Sequence, residues 1–306
     1  MTGDAAVAAG SGGVIHDIGY RHYDGPRLGR AAIVRSLYWH SLRSAFGIGR
    51  GAKAKVVPLL TFGIMCLPAV VNAIGAARGG GRVIPYDTYV FRLRGLVMVI
   101  FVAAQAPELV SRDLRSHVLP LYLCRPVRRL DYPLAKYAAF TAACLLMVEI
   151  PLLLLYLGTV VSASGTSAIW SQTRAFIPGL LIGVLWAVLL AATGLVLASL
   201  TGRRAYATGA IAIYFFLTWT LASILIGVSG GPGGPGGQAA PLAARLAGLV
   251  SPITVLDGVR RWLGGTSFGP VPLPGSAGVL YGAMFLLLLA ASLGGLAARY
   301  RKAGLA

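Results

Sequence analysis

Few residue types in this chain are arranged so that they could do chemistry. The chain has 306 residues with 9 Asp and Glu, and its 4 histidines (His16, His22, His40 and His117) have no spacing that would put two metal ligands on one helix face. The sequence contains neither a G-x-x-x-x-G-K-[ST] loop for nucleotide phosphates nor a G-x-S-x-G nucleophile elbow. We therefore expect no catalytic site, no metal site and no cofactor bound by this chain itself.

Glu149 is the one acidic residue deep inside an apolar run, in the sequence Met147-Val-Glu-Ile-Pro151. An ionisable residue within a membrane span is costly and is therefore a functional hypothesis. Glu149 could be a substrate or proton site. It could equally be a carboxyl group that bonds a neighbouring helix, because polar residues join transmembrane helices in this way.

A second group of charged residues lies between Glu108 and Lys136. This segment reads ELVSRDLRSHVLPLYLCRPVRRLDYPLAK, with charges near both ends and an apolar core at Val118–Leu123. A short helix of this composition is typical of an element that docks into a groove of a soluble partner. The alternative interpretation is a solvated loop that is rich in basic residues.

Glu149 and the charged segment from Glu108 to Lys136 lie within or between long apolar runs, which must therefore position them. Hydrophobic residues make up 57% of the chain and charged residues only 12%, against about 25% charged in ordinary soluble domains. A spanning helix needs about 20 apolar residues, and the second of six candidates is the weakest, since it holds Arg92 and Arg94 and its clean part begins at Gly95. We predict an all-α membrane protein with six transmembrane helices, at Val56–Ala77, Tyr89–Leu109, Tyr137–Ser162, Ala175–Leu200, Ala205–Val228 and Ser276–Ala298.

The distribution of the 27 Lys and Arg residues predicts the orientation. Most of them fall in the N-terminal segment, in the loops after spans two and four, and in the C-terminal tail. Basic residues favour the cytoplasmic side of a membrane, so we place the chain in the cell membrane with both termini cytoplasmic. The net charge of +18 reflects this bias, and nucleic acid is not an expected partner.

The regions outside the spans complete the predicted organisation. Residues 26–50 form a helix with Val34, Tyr38, Leu42 and Phe46 on one face, which suits a helix lying in the cytoplasmic headgroup layer; a soluble surface helix is the alternative. A long extracellular loop opens with SGGPGGPGG and continues as short helices before the last span. The predicted divisions are 1–55 (N-terminal segment), 56–228 (spans one to five, with a coupling loop at 111–136), 229–275 (extracellular loop) and 276–306 (span six and cytoplasmic tail).

The segment after span two resembles a motif of the permease subunits of type-2 ABC exporters. In that family an acidic residue ends the second span and R-x-x-G-T-L-x-L-L-x-x-R-P-x-x-R-x-x-x-x-x-x-K follows. His117-Val118 replaces the family's Gly-Thr, and Pro120 stands where a helix former is usual. The residues that match are Glu108, Arg115, Leu119, Leu121, Leu123, Arg125, Pro126, Arg129 and Lys136. The resemblance extends to the six spans, the interfacial helix and the long outer loop, and so covers most of the chain as architecture.

The resemblance implies partners and site residues. The loop would contain a cytoplasmic coupling helix that docks on a separate ATP-binding subunit, which would hold ATP and Mg. A second permease copy, identical or a sister chain, would pair with this one in the membrane lipid. The implied ATPase-coupling residues are Glu108, Arg112, Asp113, Arg115, His117, Leu119, Leu121, Arg125 and Arg129. The implied transport path, between two copies along spans two and five, includes Gln105, Tyr214, Phe215, Thr218 and Trp219. Glu149 of span three is a further candidate for this path.

The expected function is the export of a hydrophobic or amphipathic compound such as a drug, an antibiotic or a lipid. The aromatic cluster Tyr-Phe-Phe-x-x-Trp at 214–219 suits such a solute, although it could also pack in a dimer interface. Two alternatives belong to other classes: an ion-coupled secondary transporter centred on Glu149, and a membrane-embedded enzyme that modifies lipids. Inverted repeats would favour the first, and a cluster of His, Asp or Glu near one interface would favour the second.

Overall fold

The described part of the chain is a bundle of helices that run up and down. In a computed structural model of the protein, the described residues are 25, 28–75, 78, 86–116, 128–163, 165–229, 241–264, 271 and 277–303. These residues form no β-strand. The helices are α1 (Arg30–Ala45), α2 (Ala52–Gly75), α3 (Tyr86–Leu109), α4 (Ser111–Arg115), α5 (Asp131–Val161), α6 (Thr166–Ser199), α7 (Arg204–Val228), α8 (Leu242–Ala247), α9 (Pro252–Trp262) and α10 (Gly278–Ala303), and a 3-10 turn, Gly248–Val250, joins α8 to α9.

Five helices are long and apolar enough to cross a membrane, namely α2, α5, α6, α7 and most of α10. Each has at least 24 residues, more than the roughly 20 that a bilayer requires. Large aliphatic side chains on α2, α7 and α10 are exposed along their outer faces, as expected where lipid replaces water. The all-helical class is confirmed for the described residues, and the five helices fit a multi-pass membrane protein.

The predicted second span forms α3, which differs from these five. Within α3 the apolar segment is Gly95–Leu109, yet the whole helix has 24 residues and is about 36 Å long, at ~1.5 Å per residue. At its first residue, the Tyr86 hydroxyl lies 2.6 Å from Thr159 Oγ1, near the last turn of α5. At its last turn, Glu108 forms an ion pair with Arg204 at the start of α7.

Helix α6 begins at Thr166, about two and a half turns before the predicted start at Ala175. The early turns are too polar to count as a span, but aromatic contacts hold them against α5. The Tyr156 and Phe176 rings stack with their centroids 4.6 Å apart, and the Tyr156 hydroxyl lies 2.9 Å from Thr173 Oγ1. The connection between α5 and α6 is therefore shorter than the sequence indicated.

The predicted interfacial helix forms α1, which packs against α5 and α3. Its buried residues are Leu37, Ser41 and Ala45. The apolar row indicated by the sequence lies one position further along the helix from these residues. Its members are only partly buried: Val34, Tyr38, Leu42 and Phe46. The face of α1 that packs on the protein therefore lies about one residue, or about 100° of helix rotation, from the apolar row that the sequence indicated.

Glycines allow the helices to approach closely. A Cβ atom at Gly158 would lie 2.2 Å from the Ala73 Cβ, between α5 and α2, and one at Gly194 would lie 2.3 Å from Val102 Cγ1, between α6 and α3. Small residues at helix contacts are characteristic of membrane proteins, in which van der Waals packing replaces the hydrophobic effect between helices.

Two short helices, α8 and α9, precede α10. Ser251 caps α9 by accepting a hydrogen bond from the Ile253 N–H at 3.3 Å, and Pro252 occupies the first helical position. The Tyr281 hydroxyl of α10 donates a hydrogen bond to the Arg245 carbonyl oxygen. A Cβ atom at Gly258 would lie 2.2 Å from Tyr281 Cδ1, so α8 and α9 fold closely around this tyrosine.

Candidate functional site

Charged side chains gather where α2, α5 and α7 begin and where α3, α6 and α10 end; we call this the charged end. Two hydrogen bonds fix α4 and α10 to the last carbonyl groups of α6. Ser111 Oγ donates to the Ala198 oxygen at 2.7 Å, and Arg299 Nε donates to the Ser199 oxygen at 3.2 Å. These donors satisfy carbonyl groups that a helix end leaves without partners, and they bring α4 into the bundle.

Glu108 connects three segments of the chain at the charged end. Its side chain is only 5% exposed, and its carboxylate forms ion pairs with Arg50, between α1 and α2, and with Arg204, the first residue of α7. A pocket of about 260 Å³ opens beside it and is lined by Arg50, Pro107, Glu108, Arg115, Gly202 and Arg204. One carboxylate therefore joins the start of α2, the end of α3 and the start of α7.

Asp113 in α4 is held by the first turns of α5. Lys136 Nζ lies 2.8 Å from Asp113 Oδ2, and the Tyr132 hydroxyl donates a hydrogen bond to the same oxygen. Tyr132 in turn packs against Tyr300 of α10, with ring centroids 5.3 Å apart. Helix α4 has only five residues, so these contacts, more than its own hydrogen bonds, fix its position.

Asp131 joins α1 to α5. Its two oxygens accept hydrogen bonds from Arg30 Nε at 2.6 Å and Arg30 Nη2 at 2.5 Å, and the Arg128 backbone N–H donates a third at 2.9 Å. The hydrogen bond to Asp131 raises the pKa of the Arg30 guanidinium above its ordinary value. The geometry is the bidentate fork that arginine makes with a carboxylate.

The predicted ATPase-coupling residues fall into four groups. Glu108 and Asp113 belong to the ion pairs described above. Arg115 and Arg129 are exposed, and Arg115 lines the pocket beside Glu108. Arg112 is part of α4, and its side chain lies outside what the structure describes. The others, His117, Leu119, Leu121 and Arg125, lie outside the described residues.

The predicted transport-path residues are placed in different helix contacts. Gln105 of α3 is buried. On α7, Phe215 is buried and Trp219 is 40% exposed, so the aromatic cluster is divided between two faces of one helix. Tyr214 is partly buried, and Thr218 Oγ1 donates a hydrogen bond to its carbonyl oxygen at 2.7 Å and lies 3.4 Å from Ser251 Oγ. The inner part of this cluster therefore contacts the turn that precedes α9.

Glu149 lies in the contact between α5 and α6. Its carboxylate packs directly on Gly183, where a Cβ atom would come within 2.1 Å of Glu149 Oε1. The residue is partly buried, and the glycine opposite it provides the space that its carboxylate occupies. The sequence singled out Glu149 but gave no indication of this glycine.

A separate charged cluster occupies α9. Arg260 donates two hydrogen bonds to Asp257 Oδ1, from Nε at 3.0 Å and from Nη2 at 2.8 Å, and Arg261 Nε lies 3.7 Å from Asp257 Oδ2. The Val271 N–H donates to Asp257 Oδ2 at 3.4 Å. All three charged side chains are almost completely buried. Burial raises the pKa of Asp257 while the two guanidinium groups oppose that rise, and burial lowers the pKa of Arg261.

Several of these residues were not singled out from the sequence. Arg50 and Arg204 border apolar runs, and their position at helix ends was the only signal that they could meet Glu108. The α9 cluster had a clearer signal, because Asp257, Arg260 and Arg261 follow an i, i+3, i+4 spacing in an otherwise apolar segment. That spacing predicts the pairing but not its burial.

The fold and these clusters define a helical protein of the multi-pass membrane class whose ionic contacts concentrate at one end of the bundle and in α9. Among the described residues, no group of three or more His, Cys, Asp and Glu side chains could hold a metal ion. A scan against protein-family models finds no match, and a search of curated proteins finds no relative.

Proposed function

We propose that the chain is the membrane-spanning permease subunit of an ATP-driven exporter of the type-2 ABC class. In this proposal α3 is a sixth span, the charged end is cytoplasmic, and α4 with residues 116–130 docks on a separate ATP-binding subunit. The exported compound is hydrophobic or amphipathic.

The double ion pair of Glu108 is the observation that carries this proposal. A docking element can drive transport only if its displacement reaches the spanning helices. Helix α4 follows Glu108 directly, and Glu108 is bonded to the start of α2 through Arg50 and to the start of α7 through Arg204. Asp113 extends the same connection to α5 through Lys136. A force applied to α4 would therefore reach four long helices through direct contacts.

The outer face of α7 supports the pairing of two permease copies. Phe216 and Trp219 form an exposed aromatic pair with ring centroids 6.2 Å apart, while Phe215 faces the protein interior. Exposed aromatic rings suit both a helix contact and an amphipathic solute. The transport path would run between two such faces, with α3 beside them.

Charge reversal in α4 tests the docking assignment. We expect Arg112→Glu/Arg115→Glu, co-expressed with the ATP-binding cassette subunit of its host, to insert normally but to lose ATP-driven efflux of an amphipathic dye from inverted vesicles. The matched control is Arg35→Glu/Arg43→Glu, which makes the same charge change on the exposed face of α1. Unchanged coupled efflux in the α4 double variant would sink the docking assignment.

A second experiment tests whether the ATPase is separate. The purified chain is expected not to bind a fluorescent ATP analogue, and ATP hydrolysis is expected only after the ATP-binding subunit is added. Binding of the analogue to the purified chain would contradict the proposal.

The position of Glu149 favours one other candidate, an ion-coupled secondary transporter. A carboxylate deep in α5 that packs on a glycine of α6 is placed where protonation could alter a helix contact. In that case, transport would follow a proton gradient without ATP and Glu149→Gln would abolish it. For an ATP-driven exporter, dissipating the gradient with an uncoupler would leave transport intact.

A further inference from the structure

A cleft of about 350 Å³ opens between α2 and α5, beside the turn that joins α1 to α2. Leu59 and Phe62 of α2 line it from one side, and Leu146 and Ile150 of α5 line it from the other. The turn contributes two further apolar side chains, Phe46 and Ile48. The volume is within the range of about 300–1,000 Å³ that is usual for small-molecule sites. A cleft with this lining fits a hydrocarbon chain.

The cleft extends from the surface of the bundle towards its interior. Leu59 is 66% exposed and Leu146 is 41% exposed, whereas Phe62 is half-buried and Pro58, which also lines the cleft, is buried. Both helices are long and apolar enough to cross a membrane, so the exposed rim would meet hydrocarbon instead of water. A lipid chain would fill such a space, because the atoms that line a void lose their dispersion contacts.

The turn beside the cleft is held in one position. Gly47 has a φ of +69°, and a Cβ atom there would lie 2.6 Å from the Ala54 carbonyl oxygen, so the turn packs directly on the first turn of α2. On the other side of the turn, the Phe46 ring packs against Phe101 of α3, with ring centroids 6.3 Å apart. The cleft is therefore part of the folded structure.

Lys55 is the one charged residue that lines the cleft. It precedes Leu59 by four residues and Phe62 by seven, so that all three side chains lie on one face of α2. Lys55 belongs to the first turn of α2 and is exposed. At the end of a spanning helix, a lysine stem lies along apolar surface while the ammonium reaches the headgroup layer.

No carboxylate among the residues that line the cleft balances the charge of Lys55. The sequence contains no Asp or Glu between Asp24 and Asp87. On α5, Glu149 packs on Gly183 of α6 and does not line the cleft. A positive charge next to an apolar cleft is complementary to an amphiphile that has an anionic headgroup and an apolar chain.

We propose that this cleft binds one acyl chain of an anionic membrane phospholipid, whose headgroup lies at the Lys55 ammonium. The apolar lining accommodates the chain, and Lys55 favours an anionic headgroup over a zwitterionic one. The site requires neither an ATP-binding subunit nor transport, and it goes beyond the function proposed above.

Native mass spectrometry of the purified full chain in detergent tests the site without any partner protein. The probes are phosphatidylglycerol and phosphatidylcholine with identical acyl chains, and we expect the wild-type chain to bind phosphatidylglycerol more tightly. Lys55→Gln should weaken phosphatidylglycerol binding about fivefold, since one basic group contributes about 1 kcal/mol to the binding of an anionic lipid. It should leave phosphatidylcholine binding unchanged. Leu146→Trp should weaken the binding of both lipids, because the indole ring occupies the space of the acyl chain.

A photoreactive group in the acyl chain of phosphatidylglycerol locates the site on the wild-type chain. We expect it to label the peptides that contain Phe62 and Leu146, and this labelling should be lost in Leu146→Trp.

Each variant has a matched control. Lys53→Gln removes an exposed lysine of the same helix turn that does not line the cleft. Leu153→Trp makes the same change on the same face of α5, about two turns beyond Leu146, at a residue that is also exposed but does not line the cleft. Both controls should bind both lipids as the wild type does. All four substituted side chains are exposed, so the unfolding temperatures should match that of the wild type.

The proposal is overturned if either Lys55→Gln or Leu146→Trp binds phosphatidylglycerol as the wild type does, or if the controls lose as much binding as these variants. It is also overturned if Leu146→Trp converts a dimer into a monomer without changing lipid binding, because a second copy of the chain then covers the cleft.

Discussion

The charged end and α9 both pair carboxylates with arginines, but the pairs differ in what they connect. At the charged end, Glu108 binds Arg50 and Arg204, which belong to two other segments of the chain. In α9, Asp257 binds arginines three and four residues further along the same helix. The first arrangement holds helix ends together. The second holds a short helix and the backbone of Val271 around one carboxylate.

The two clusters also differ in solvent exposure. The Arg204 side chain is 63% exposed, whereas the Asp257 and Arg260 side chains are completely buried. Water screens a partly exposed pair, so that its members can separate at small cost. A buried pair is costly to break, because the remaining charge loses its counter-ion at a position that water does not reach. The charged end is therefore suited to rearrangement, and α9 is suited to a fixed position.

The largest effect is expected for Asp257→Ala. The substitution leaves two buried guanidinium groups without their carboxylate and should reduce the free energy of unfolding by about 3–5 kcal/mol. Thermal unfolding of the detergent-solubilised chain, followed by far-UV circular dichroism, measures the loss. Asp257→Asn keeps a hydrogen-bond acceptor and should be less destabilised. An unfolding midpoint of Asp257→Ala within 1 °C of wild type would remove the distinction between the two clusters.

Glu108→Gln should reduce the free energy of unfolding by a smaller amount, about 2 kcal/mol, although it affects two ion pairs. Arg204 is largely hydrated already, and Arg50 is partly exposed, so neither becomes a dry, unpaired charge. The same unfolding measurement checks this value. The matched comparison is Arg204→Gln, which leaves the ion pair between Glu108 and Arg50 intact. It should reduce the free energy of unfolding by less than half as much as Glu108→Gln. If Glu108→Gln is more damaging than Asp257→Ala, exposure does not explain the difference between the clusters.

The sequence predicted the apolar helices better than their ends. The runs that form α2, α7 and α10 are continuous, and hydropathy alone reveals them. The first turns of α6 are not apolar, and their helical structure depends on contacts with Tyr156 of α5. The first half of α3 contains Arg92 and Arg94, yet the hydrogen bond of Tyr86 fixes its start beside α5. Such contacts depend on which helices become neighbours, and local sequence does not contain that information.

The contacts of the candidate site were likewise hidden, because local sequence does not show which distant residues become neighbours. The position of Glu108 at the end of an apolar run and the spacing of the α9 charges were both visible in the sequence. The partners of Glu108 were not, because Arg50 and Arg204 lie far from it along the chain. The contact between Glu149 and Gly183 was equally hidden, since nothing local distinguishes Gly183 from the other glycines of the apolar helices.

Gly183→Ala examines Glu149, a carboxylate that lies outside both clusters. The new methyl group would meet Glu149 Oε1 at 2.1 Å, and separating α5 from α6 should cost about 1–2 kcal/mol. Part of this cost should remain in a Glu149→Ala background, because Val148 Cγ1 would lie 2.8 Å from the new methyl group. The part that Glu149 causes should disappear, and a double-mutant cycle of unfolding free energies isolates it. Gly209→Ala on α7 is the control, because nothing lies within 4 Å of a Cβ atom at that position. Equal costs in both backgrounds would show that Glu149 does not occupy the space at Gly183.

Arg30→Gln should have the smallest effect on stability. The dependence of that effect on salt concentration should show that it is electrostatic. The pair with Asp131 joins two elements, as the Glu108 pairs do, but the Arg30 side chain is 45% exposed. We expect the unfolding midpoint to fall by about 1 °C at low ionic strength and to match wild type near 1 M salt, where the Debye length is about 3 Å. Arg35→Gln, an exposed arginine of α1 without an ion pair among the described residues, should show no salt-dependent difference. A loss at Arg30 that persists in high salt would mean that this pair behaves like the buried cluster of α9, and that position in the bundle matters more than exposure.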